Sequence, residues 1–111
     1  MIEVTIKRAS DKTITSFTMS GHANSGPHGQ DIVCAGASAT AIGTVNAIEE
    51  LLHFQPHVDA GGEGGYLDIT LPAQLDHETF EKAQLLLEAM IVTLRSIEQE
   101  YSQYIVIDEQ Q

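Results

Sequence analysis

An α+β domain, a mixed or antiparallel sheet covered by two helices, is the fold class this sequence predicts. Three observations predict it. Two segments near the N-terminus alternate apolar and polar residues, and two longer segments repeat apolar residues every three or four positions. Short apolar stretches bounded by glycine and proline fall between and after those helical patterns. The resulting order is β-β-α-β-β-α-β, and strands arriving in hairpins leave the helices to form a covering layer. At 111 residues the chain reads as a single domain over 1–111, long enough to bury a modest core without staples.

Ile2 to Arg8 sets Ile2, Val4 and Ile6 against Glu3, Thr5 and Lys7, the period of a half-buried strand. Ala9-Ser10-Asp11-Lys12 reads as a turn, and Thr13 to Ser20 resumes the alternation to complete a hairpin. From Ala35 to Phe54 the period turns helical, with Ile42, Val45, Ile48 and Leu52 three or four apart. Asp31 or a neighbour is placed to cap that helix, and Pro56 ends its pattern. His57-Val58-Asp59 and Tyr66 to Leu71 form a second hairpin, joined through glycines at 61, 62, 64 and 65 and closed by Pro72. From about Glu78 to Gln103 the helical period returns through Phe80, Leu87, Leu94 and Tyr101. Asp76 is its N-cap, and Glu78 and Glu81 sit near the favourable positive end. Tyr104 to Ile107 is a short last strand, and Asp108 to Gln111 is a polar tail expected to fray.

The charge balance removes whole classes of function. Five basic residues against 16 acidic ones give a formal net charge of −11. Such a surface repels a phosphate backbone, so no direct nucleic-acid binding is expected, whereas a basic protein or peptide is attracted and steered. A lone cysteine makes no internal disulfide, so the fold owes nothing to an oxidising compartment. Met1 to Lys7 lacks the basic-then-apolar layout of a signal peptide. No apolar run approaches the roughly 18 residues of a membrane span, so the expected address is cytoplasmic, without membrane association.

The chemistry concentrates around Cys34. It follows the short apolar run Ile32-Val33 and precedes the small residues Ala35, Gly36, Ala37, Ser38 and Ala39. A thiol at a helix start feels the positive end of the helix dipole, which favours thiolate. A lone cysteine is more often a small buried hydrophobe, but this one has His22 upstream across a glycine-containing loop. Thiolate and imidazole are the minimum equipment for covalent acyl transfer, Cys34 as nucleophile and His22 as general base. Asp31 either orients the imidazole or serves as the helix-start residue, the structural role being favoured. Ser38, one turn after Cys34, is placed to hydrogen-bond near the site. The small residues after Cys34 leave amides accessible as an oxyanion hole, or reflect close helix packing.

Residues 24–30 are rich in turn formers and read as a lid that orders on substrate binding. His28 within it is a second candidate for the base; His53, His57 and His77 are expected to be exposed. One cysteine and scattered histidines supply no paired metal-ligand spacing, and no cofactor is called for. The glycines at 61–65 lack the Lys-Ser/Thr of a phosphate loop, and no Gly-x-Ser-x-Gly elbow is present.

Ser20-Gly21-His22-Ala23, Gly29, Asp31-Ile32-Val33-Cys34-Ala35 and Ser38-Ala39 together resemble the ribosomal-processing cysteine protease family, Prp. Weaker matches follow at Gly64-Gly65-Tyr66, Leu71-Pro72, Leu85 to Met90, and Tyr101 with Tyr104-Ile105, so the resemblance spans nearly the whole chain. It implies a homodimeric protease that removes the basic N-terminal extension of a large-ribosomal-subunit protein, the one numbered twenty-seven, and so supports ribosome maturation. It also implies cleavage after phenylalanine, with an apolar pocket near Cys34. Carried over, Cys34 is the nucleophile and His22 the base, with Asp31 and Ser38 at further recurring positions. Gly36 and Ala37 depart from the bulkier apolar residue expected there, and Pro27 and His28 are unusual in the lid. The competing readings are a non-catalytic ribosome-assembly or binding factor of the same fold, and a thiol redox sensor that lacks a resolving cysteine.

Overall fold

The computed structural model describes residues 1–22, 26, 31–61 and 65–111. Five strands and two helices follow in the order β1 (Ile2–Arg8), β2 (Ile14–Ser20), α1 (Ile32–Leu52), β3 (His57–Asp59), β4 (Tyr66–Thr70), α2 (His77–Glu100) and β5 (Ile105–Gln110). The sequence predicts this order. Across the sheet the strands run β3-β4-β2-β1-β5. The β1–β2, β2–β4 and β3–β4 pairs are antiparallel and β1–β5 is parallel, which makes the sheet mixed.

Register converts the alternation of each strand into one continuous apolar face. Val4 lies opposite Met19 on one side and Ile107 on the other, and Phe17 lies between Ile6 and Ile69. All six are buried. Ala37, Ala41, Val45 and Ile48 of α1 and Leu87, Met90 and Leu94 of α2 close the same core from above. Both amide groups of Gln84 engage Ile14, accepting from its N–H and donating to its carbonyl at 2.7 Å each. That pair mimics a neighbouring strand at a point where β1 has already bulged away.

Helix α1 begins at Ile32, before the predicted Ala35. The β-branched pair Ile32-Val33 reads in sequence as an extended apolar run, but Asp31 overrides it. One carboxylate oxygen accepts the N–H groups of Val33 at 3.1 Å and Cys34 at 3.0 Å, satisfying two of the orphan donors of a helix start. The helix stops ahead of Pro56, at His53, whose left-handed φ of 60° lets its N–H bond the Glu49 carbonyl. Asp76 caps α2 as predicted, through the N–H of Thr79.

The expectation of a frayed tail is wrong. Asp108, Glu109 and Gln110 continue β5 in register with Thr5, Ile6 and Lys7. Glu109 is held there by Arg8 at 2.8 Å and Arg95 at 2.5 Å, and Arg8 also forks onto both oxygens of Glu88. Ion pairs therefore tie β1 and β5 to α2 at the end where the strand's own side chains turn polar.

Helix α1 also corrects the expectation that nothing comes near a membrane span. An 18-residue window within it reaches a mean hydropathy of 1.3, enough by length and composition alone. Its stripe of Val33, Ala37, Ala41, Val45 and Ile48 is buried in the core, which is the packing of a helix seated on a sheet.

Candidate active site

The sequence-predicted residues converge where the end of β2, the start of β4 and the start of α1 meet. Gly21 leaves β2 with a φ of +89°, and a Cβ there would collide with the Met1 carbonyl oxygen, so only glycine makes this turn. Its N–H donates to the Gly65 carbonyl at 2.8 Å, which ties the end of β2 to the start of β4. The next residue is His22, exposed, whose own carbonyl accepts from the Met1 amino group at 2.5 Å.

Cys34 is half-buried in the first turn of α1. Ser38 and Ile42 follow it at helical spacing, so the three share one stripe. That stripe forms one wall of a pocket of about 270 Å³. His22 and Gly65 line the pocket with it, and Ile2, Met19, Tyr66 and Leu67 make the lining largely apolar. Cys34, His22 and Ser38 thus open into one cavity, while Asp31 sits behind Cys34 as the cap. His28 and the predicted lid, apart from Gly26, lie outside the described residues. His53, His57 and His77 are exposed, as predicted.

The backbone around Cys34 is engaged in the helix start. The N–H groups of Val33 and Cys34 go to the Asp31 carboxylate, and that of Ala35 goes to the Asp31 carbonyl at 3.0 Å. These amides build the helix start. Ala37 is fully buried, and a Cβ on Gly36 would stand 3.7 Å from Ile97 of α2. Gly36 and Ala37 serve helix packing, while Ala35, Ser38 and Ala39 are exposed. Among the described residues no group of three His, Cys, Asp or Glu side chains is placed to hold a metal ion.

Ile42 shares the helical period of Val45 and Ile48 but not their burial: it is 50% exposed and lines the pocket. Its spacing of two turns from Cys34 is the signal that could have placed it. Tyr66 and Leu67 carried no such signal, because only the β2–β4 register brings them beside His22.

A first-turn cysteine and a histidine lining one apolar pocket are the groups a cysteine protease uses, and that is the class to which the family comparison assigns this α+β domain. The family model described as cysteine protease Prp matches residues 1–106, and the chain belongs to that family. It is 52% identical over 101 residues to the ribosomal processing cysteine protease Prp of Bacillus subtilis, covering 91% of this chain and 90% of that one. The protein of the same name from Staphylococcus aureus is 41% identical over 105 residues, 95% of each chain. Two crystal structures of an essential ribosomal processing protease Prp from S. aureus share the fold. The complex with a covalently linked product peptide has a TM-score of 0.88 at 39% identity, covering 98% of this chain and 99% of that one. The complex with a substrate peptide has a TM-score of 0.82 at 38% identity over the same shares.

Proposed function

We propose that this chain is a cytoplasmic endopeptidase that removes the N-terminal extension of the large-ribosomal-subunit protein numbered twenty-seven, with Cys34 as nucleophile and His22 as general base. The observation that carries the reading is that both side chains line one apolar pocket. In the proposed reaction His22 takes the Sγ proton as Cys34 attacks the scissile carbonyl. The imidazolium returns that proton to the leaving amine, and water, deprotonated in turn by His22, hydrolyses the thioester. Ile42, Tyr66, Leu67, Met19 and Ile2 suit an apolar side chain such as phenylalanine beside the scissile bond. Asp31 supports the site through the backbone of Cys34, and Ser38 offers a hydroxyl to the bound peptide.

The net charge of −11 favours a basic extension as substrate and disfavours contact with ribosomal RNA. A homodimer is part of the same proposal. Its support is the family resemblance, which implies a homodimer.

The test is incubation of the purified chain with the extended ribosomal protein, following intact mass for the native protein and Cys34→Ala. Release of a defined N-terminal fragment by the native protein alone supports the reading. Absence of cleavage by either, with fold and reduced thiol verified, favours a non-catalytic ribosome-assembly factor.

A further inference from the structure

We propose that Gly65 is the positioning residue for His22: the imidazole lies across its α-carbon, and the missing side chain sets where the ring stands in the pocket. A Cβ at position 65 would fall 2.7 Å from His22 Nε2, 3.1 Å from Cε1 and 3.4 Å from Cδ2. The first two lie inside ordinary van der Waals separation, so ring and side chain cannot share the space. Gly65 has a φ of +72°, a conformation that presents its bare α-carbon to the ring without strain. The same residue grips the backbone as well, because its carbonyl accepts the N–H of Gly21, immediately before His22. One glycine therefore bears on the histidine twice, by bonding the residue before it and by leaving room for its ring. The atoms a Cβ would strike are the far end of a side chain, so the ring moves and the fold stays.

Gly61 supplies the control. It has a φ of +67°, equally unsuited to a side chain, but its Cβ would meet Tyr66 at an ordinary 3.5 Å and not His22. Gly61→Ala carries the backbone strain of Gly65→Ala without touching the imidazole.

This inference rests on the reading of His22 as the base only for its catalytic consequence, so two kinds of readout are needed. In the native protein, a nuclear Overhauser contact between the Gly65 α-protons and the His22 ring protons is expected, and its absence overturns the proposal whether or not any variant folds. In Gly65→Ala the His22 ring signal, assigned by its loss in His22→Gln, is expected to move. Turnover of a peptide spanning the cleavage site is expected to fall about tenfold or more in kcat, with KM within about twofold, since misplaced catalytic groups cost rate before binding. Gly61→Ala leaves both readouts near native. Equal effects of the two substitutions, or an unmoved ring signal in Gly65→Ala, overturn the proposal. Failure of the dyad reading looks different: His22→Gln would cleave as fast as the native protein while the ring signal still moved in Gly65→Ala.

Discussion

One carboxylate oxygen of Asp31 receives the backbone N–H of Cys34 at 3.0 Å, so the proposed nucleophile is anchored through its main chain by the residue that opens its helix. The sequence leaves Asp31 two roles, and this bond gives it the cap. Asp31→Ala is expected to cost about 1 kcal/mol and lower Tm by roughly 5 °C, measured by calorimetry. Asp31→Asn keeps the cap oxygen and is expected to retain most stability and turnover. A collapse of kcat in the asparagine variant at native Tm would return Asp31 to the imidazole-orienting role.

Two glycines of α1 weaken it without serving the pocket. Nothing lies within 4 Å of a Cβ placed on Gly43, so Gly43→Ala is expected to raise stability by up to about 1 kcal/mol. Gly36→Ala meets Ile97 at an ordinary 3.7 Å and is expected to gain about 0.5 kcal/mol. Gly21→Ala runs the other way, losing more than about 1 kcal/mol because its Cβ meets backbone at positive φ. Urea midpoints at constant slope check all three.

Acid should dissolve the ionic tie at the far end of the sheet. Hydrogen bonds from Arg95 and then Arg8 hold the Glu109 carboxyl below the usual glutamate range. A depressed folded value means this stability is fully present above the unfolded pKa and is lost as pH falls through the folded one. Glu109→Gln is therefore expected to cost about 1 kcal/mol at neutral pH, in keeping with a partly exposed ion-pair network. The gap to native should close between roughly pH 5 and 3. A gap that stays constant in Tm measured across that range would refute it.

Ile42 should act on substrate and not on folding. It is half exposed on the pocket wall, so Ile42→Ala is expected to leave Tm within about 2 °C while raising KM for a phenylalanine-containing peptide roughly fivefold. Ile42→Asp should raise KM further. Steady-state kinetics with matched peptides bearing alanine at that position would show whether the loss follows the apolar side chain.

Local signals carried most of the fold. Alternation in β1 and β2, the caps at Asp31 and Asp76, and the glycine-bounded hairpin are all encoded within a few residues of where they act. What stayed hidden depends on distant partners. Asp108 to Gln110 look like a tail because nothing in them is apolar; Arg8 and Arg95, on other elements, make them a strand. That Cys34 and His22 would share a pocket was legible from residue type and order. Gly65 and Tyr66 were not visible as site residues, since only the β2–β4 register brings them there.

The parallel pairing of β1 with β5 also sets a timetable. β1 takes as its neighbour the strand farthest from it in this sequence, with Arg8 and Glu109 separated by 101 positions. Ile2 lines the pocket and its N–H waits for the carbonyl of Tyr104. Until β5 pairs with it, the strand that carries Ile2 into the pocket has one open edge, and such long-range closure is slow compared with local hairpin formation. The edge of β1 beside the pocket is therefore closed by a distant segment, while the hairpins around it close locally.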